Sequence, residues 1–111
     1  MINDPVALTG LFDYRMTPIT TEMGDNKILL PNRNRIGFIL SSSAGLPGFI
    51  SPRAMDGDDQ GLFVGGGQVY KEFLLKDWGA VVGDEWHLYD GIGMTLIVVF
   101  ESLYFPSRLT S

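Results

Sequence analysis

Three constellations in this 111-residue chain carry residue types at spacings that could do chemistry. Asp56-Gly57-Asp58-Asp59-Gln60-Gly61 sets oxygen ligands at alternate positions with glycine at the sixth, the opening of a calcium loop. Hard cations need clustered carboxylates on a sharply turning backbone, so the spacing has a rationale. The twelfth position, however, is Gly67, where a bidentate glutamate is required. The stretch therefore reads as a solvated acidic loop, with a calcium-dependent sensor or enzyme as the weaker alternative. Gly65-Gly66-Gly67 suggests a phosphate cradle, yet no G-x-G-x-x-G opens a helix and no Gly-Lys-Ser/Thr follows. A flexible hairpin loop is the better reading. His87, the single histidine, would need a nucleophile such as Ser102 and an orienting acid such as Glu85 to run triad chemistry. Neither lies in a recognisable motif and no G-x-S-x-G is present, so His87 is expected on the outward face of a strand. No catalytic residue, no cofactor and no metal are expected.

Aromatic side chains are the remaining candidates for binding: Phe12, Tyr14, Phe49, Tyr70, Trp78, Trp86, Tyr89, Tyr104 and Phe105. Exposed rings beside carboxylates could stack on sugars, with Tyr70, Trp78 and Asp77 as the patch such a function would use. A domain this small also needs rings inside, which assigns Trp86 and Phe38 to the core and Trp78 to covering a loop.

The elements that must position these groups are strands. Fourteen glycines and six prolines punctuate the chain, and no long stretch keeps a helical apolar period. Short alternating runs separated by turn residues mark an all-β sandwich or barrel. Strands are predicted at 11–15, 19–22, 27–30, 35–42, 48–51, 61–64, 69–75, 85–89 and 94–103, with one helical turn possible near 71–78. In the fourth of these, Ile36, Phe38 and Leu40 share a face, opposite Arg35, Gly37, Ile39 and Ser41. Trp86 and Leu88 point inward, Glu85 and His87 outward. The run Met94–Leu103 is apolar on both faces, which makes it a covered central strand or part of an interface. Met23-Gly24-Asp25-Asn26 and Asp90-Gly91 are predicted to close hairpins.

Length and composition give one domain over residues 1–111. Residues 1–18 and 104–111 are weakly patterned and are expected to be arms. No run approaches the ~20 apolar residues of a membrane helix, and Met1–Pro5 lacks the basic start of a secretory signal. The absence of cysteine excludes disulfides and thiolate metal sites. A net charge of -5 without a basic cluster argues against nucleic acid as a partner. Charge is also uneven: residues 1–55 have five basic side chains against four acids, residues 56–111 three against nine. Such asymmetry could orient a contact between copies or with a partner.

Two segments together resemble a known family. Leu30-Pro31-Asn32-Arg33-Asn34-Arg35-Ile36-Gly37-Phe38-Ile39-Leu40 is similar to the way an apolar strand begins in small virion proteins of tailed bacteriophages. Glu85-Trp86-His87-Leu88-Tyr89-Asp90-Gly91-Ile92-Gly93-Met94-Thr95-Leu96-Ile97-Val98-Val99-Phe100-Glu101 resembles the closing hairpin of the same proteins. The likeness spans roughly residues 28–104. It implies a jelly-roll-like β-sandwich and a non-enzymatic structural role on the virion, assembled in the bacterial host cytoplasm. Within it, a capsid decoration (cement) protein and a tail or fibre accessory with a glycan ligand are the two roles. A decoration protein would contact the major capsid protein and copies of itself, as a dimer or trimer. Phe12, Tyr14, Ile97, Val99, Tyr104 and Phe105 are the expected interface residues, with no nucleic acid and no membrane involved.

Overall fold

The computed structural model describes residues 10–57 and 60–106. Eight strands form: β1 (Gly10–Thr20), β2 (Gly24–Leu29), β3 (Arg35–Ser41), β4 (Phe49–Ser51), β5 (Leu62–Phe63), β6 (Tyr70–Leu74), β7 (Trp86–Asp90) and β8 (Leu96–Pro106). A four-residue helix α1 (Leu75–Trp78) and a 3-10 turn over Gly79–Gly83 connect β6 to β7. None of the described helices is long and apolar enough to cross a membrane. The strands make two four-stranded sheets in which every pairing is antiparallel. Sheet I has the order β1-β8-β3-β6 and sheet II the order β2-β7-β4-β5. The all-β expectation therefore holds.

Their inner faces meet in one apolar core. Phe38, Leu40, Phe73, Ile97 and Val99 come from sheet I, and Ile28, Ile50, Trp86 and Leu88 from sheet II. Phe38 stacks on Phe73 with ring centres 4.8 Å apart and meets Trp86 edge-on at 5.1 Å. Such offset and edge-to-face pairs add to the area buried. At β4 the sheet closes tightly. Gly48 has φ +65°, and a Cβ there would collide with the Tyr89 carbonyl oxygen, so only glycine fits.

Several expectations are corrected. Within the segments expected to be arms, the strand predicted at 11–15 is present and longer, and 104–106 is strand as well: β1 and β8 pair continuously from Gly10↔Pro106 to Thr20↔Leu96. The remaining arm residues, 1–9 and 107–111, lie outside the described residues. Neither predicted hairpin closes, because β1 and β2 belong to different sheets, as do β7 and β8. Gly24, Asp25 and Asn26, expected in a turn, belong to β2, and the stretches 21–23 and 91–95 that join these strands carry the chain from one layer to the other. The Gly65–Gly67 stretch does the same between β5 and β6 and is not a hairpin loop.

Arg35 and Ile36 exchange their expected sides. Opposite β8, Arg35 pairs with Leu103 and Gly37 with Ser102, so Ile36 is an extra residue in a β-bulge. The bulge turns Arg35 into the interior, where it is 3% exposed, and leaves Ile36 half-buried beside Phe12 and Tyr104. Phe38 and Leu40 keep the inward face predicted for them.

Candidate functional site

Three buried polar clusters fasten the structure, two of them between the layers and one between strands of sheet II. In the first, the Arg35 guanidinium donates from Nε to Glu101 Oε2 (2.8 Å) and from Nη1 to the carbonyls of Val82 (3.0 Å) and Asp84 (2.9 Å). Its Nη2 donates to the Leu30 carbonyl at 2.6 Å. One side chain thus joins β8 of sheet I to the segments that leave β2 and enter β7 of sheet II. In the second, Asp90 is fully buried and its Oδ1 accepts the N–H groups of Ile92 and Gly93, both at 2.8 Å. Its Oδ2 accepts the Thr21 hydroxyl, and Thr21 Oγ in turn accepts the Thr95 N–H at 3.1 Å. Burial pushes the Asp90 carboxyl up, but the bonds from Gly93, Thr21 and Ile92 outweigh it and hold the group below the usual range.

A folded-state value below the unfolded one contributes stability that is complete above the unfolded value and fades as pH falls through the folded one. Asp90→Asn is therefore expected to lower stability at pH 7 by roughly 1–3 kcal/mol, the cost of disturbing a buried acceptor. Urea midpoints measured from pH 7 downward should show that deficit shrinking below about pH 4.

The third cluster holds His87, which is buried at 3% exposure, contrary to the expected surface position. Its Nδ1 lies 2.7 Å from Asp25 Oδ2 and its Nε2 2.6 Å from Glu85 Oε2. A ring carrying both protons donates to both carboxylates. The hydrogen bond from His87, helped by Lys27, holds the Glu85 carboxyl below its ordinary range. The chain after β4 roofs this cluster: Met55 is buried and its N–H donates to Asp25 Oδ1 at 3.0 Å. The acids at residues 25 and 85 fall beside His87 because β2 pairs with β7 there, Lys27 opposite His87. Ser102 does not join them; it lies in sheet I opposite Tyr14 and Gly37. The histidine's two nitrogens are both engaged, which makes the cluster a strut between strands.

Of the acidic loop, Asp58 and Asp59 lie outside the described residues. The Asp56 carboxylate is held by the Gln60 side-chain amide, whose oxygen accepts the Asp56 N–H at 3.0 Å. Among the described residues no group of three potential ligands gathers around a metal position.

The outer face of sheet I is the candidate binding surface. Register with β8 puts Phe12, Tyr14, Met16 and Pro18 on the same side as Tyr104, Ser102, Phe100 and Val98. Phe12 contacts Tyr104 with centroids 4.8 Å apart, and Tyr14 stacks on Phe100 at 5.1 Å and 8° between planes. Phe12, Tyr14, Met16 and Leu96 are each about 60% exposed or more. A groove runs beside this ladder between Phe12, Tyr104, Ile36, Leu74 and Leu75. Scattered apolar residues on a surface are ordinary, but a contiguous aromatic face is a mark of an interaction site.

Three of the six expected interface residues lie on this face. Phe12 and Tyr14 are exposed and Tyr104 is half-buried under Phe12, whereas Phe105, also partly exposed, alternates to the other side of β8 across from Leu11. Ile97 and Val99 are corrected: both are fully buried in the core. The two faces of β8 were distinguishable by alternation, and the solvent side belongs to Leu96, Val98 and Phe100. Met16, Leu96 and Phe100 are residues of this candidate face that were missed, although the apolar alternation of Phe12, Tyr14 and Met16 was available as a signal.

No protein-family model, no curated protein and no solved structure matches this chain.

Proposed function

We propose that this chain is a non-enzymatic virion structural protein of a tailed phage, a capsid decoration protein that binds across contacts between major capsid subunits. The observation that carries the reading is the exposed aromatic face of sheet I, with its Phe12–Tyr104 and Tyr14–Phe100 pairs. Rings that are already packed against each other lose little side-chain freedom on binding, and aromatic anchors dominate protein interfaces. The strand orders 1-8-3-6 and 2-7-4-5 support the finer reading of a jelly roll, an architecture used in viral capsids. The three polar clusters support a scaffold role, since each fastens strands or layers and leaves the outer face of sheet I for contact.

The alternative, a tail or fibre accessory that binds glycans, has weaker support. Tyr70 and Trp78 do not share a platform: Tyr70 alternates with the inward Phe73, while Trp78 packs on Phe73 and Trp86.

Adding the purified protein to expanded capsids that lack it should raise their disruption temperature. Tyr14→Ser combined with Met16→Ser should weaken binding by about thirtyfold or more, as expected for anchors worth ~2 kcal/mol. An unchanged disruption temperature would contradict the proposal.

A further inference from the structure

The open edge of β1 has the geometry and charge pattern to pair with itself. Sheet I ends at β1, and among the described residues no strand pairs with its other side. An exposed edge presents unpaired N–H and C=O groups that can template another chain. Which residues face that edge follows from three observations. The Thr21 N–H donates to the Thr95 carbonyl directly opposite it in the β1–β8 register, so by alternation the odd residues bond to β8. The Tyr14 N–H, an even position, is turned away from β8 and is met by the Asp13 side chain at 2.8 Å. Pro18, also even, has no N–H and sits where β8 needs none. Residues 10, 12, 14 and 16 therefore aim their backbone groups outward.

We infer that two copies of this chain join antiparallel through β1, with the two-fold axis at Tyr14. In that register Asp13 of each copy faces Arg15 of the other, and Phe12 faces Met16. Both side-chain pairs are favourable across antiparallel strands. Moving the axis by one residue sets Asp13 against Asp13 or Arg15 against Arg15, which like-charge repulsion disfavours. The sequence Phe12-Asp13-Tyr14-Arg15-Met16 is thus self-complementary about its centre, as an isologous contact requires. Tyr14 N–H exchanges its bond to Asp13 for the Tyr14 carbonyl of the second copy, and this frees Asp13 for Arg15. Arg15 is available, because it is exposed and its nearest acid, Glu101, is 3.8 Å away and already held by Arg35. Joining the edges makes one eight-stranded sheet from two four-stranded ones and doubles the length of the aromatic face.

The contact does not depend on the capsid reading, and its test is separate. Sedimentation of the full chain should show a dimer. Asp13→Lys and Arg15→Glu should each raise the dimer dissociation constant by about tenfold or more, since each turns two attractive pairs repulsive. Mixing the two variants should restore a dimer, now mixed. The lysine introduced in one copy then meets the glutamate introduced in the other, and the remaining Arg15 meets the remaining Asp13. Tyr14→Pro, which removes an outward N–H that β8 does not use, should also leave a folded monomer by circular dichroism. A monomeric or trimeric wild-type chain would overturn the inference, as would a dimer that survives both charge variants. A monomer that still binds capsids would overturn this contact alone.

Discussion

Arg35→Ala is expected to cost about 3–5 kcal/mol, the range for breaking a buried ion pair by removing one partner. The loss is large because Glu101, 3% exposed, is left in the core without its partner, with only the distant Arg15 beside it. Three carbonyls, those of Leu30, Val82 and Asp84, lose their donor at the same time. For a domain near 100 residues this corresponds to a fall of roughly 12–20 °C in melting temperature. The double replacement Arg35→Met with Glu101→Leu should recover much of the deficit, because apolar side chains of similar volume remove the uncompensated charge. Urea denaturation of the single and double variants checks both statements. If the single variant unfolds at the wild-type midpoint, the clamp does not hold the layers.

Trp86→Ala is expected to be comparably damaging, at about 3–5 kcal/mol for an emptied aromatic site. Trp86 is 1% exposed and meets Phe38, Phe73 and Trp78 with ring centres 5.1, 5.2 and 6.0 Å away. Its Nε1–H also donates to the Val81 carbonyl at 3.1 Å, which fixes the 3-10 turn against the core. Trp86→Phe keeps most of the ring contacts and gives up that bond, so it should cost markedly less than the alanine. Thermal melts of the two variants test the ranking, and equal losses would argue that the hydrogen bond, more than the packing, is what matters. On the proposed reading, unfolding of either severe variant should also remove capsid binding, since the packing of the inner face of sheet I holds its outer face in place.

The parts of this fold legible in the sequence are those set by side-chain alternation. The inward faces of Phe38 and Leu40, and of Trp86 and Leu88, follow from period two with β-branched and aromatic residues. Alternation fails at Ile36, because a bulge adds one residue and no residue type there announces it. That single insertion hid the Arg35–Glu101 pair, since an arginine beside a turn reads as surface until its partner 66 positions away is known. The burial of His87 was hidden for a related reason: its two acids come from β2 and from the residue before β7, and its cover from the chain after β4. Asp90-Gly91 was legible as the end of a strand, whereas Gly24, Asp25 and Asn26, expected in a turn, open β2. Whether a turn closes a hairpin or crosses between layers depends on pairings distant in sequence, so the layer change was not legible.

The binding face was half legible. Tyr14, Phe12 and Tyr104 stood out as rings without a core assignment, and β8 as a strand apolar on both sides. Choosing between its sides required knowing which one the second sheet covers, and this is why Ile97 and Val99 were assigned to an interface.

The most direct test of the account is hydroxyl-radical footprinting of the chain free and bound to capsids. Phe12, Tyr14 and Met16 should lose most of their labelling on binding, while Leu62 and Phe63, also open residues on the far edge of sheet II, should keep theirs. Protection of Leu62 and Phe63 with Tyr14 and Met16 unchanged would contradict it.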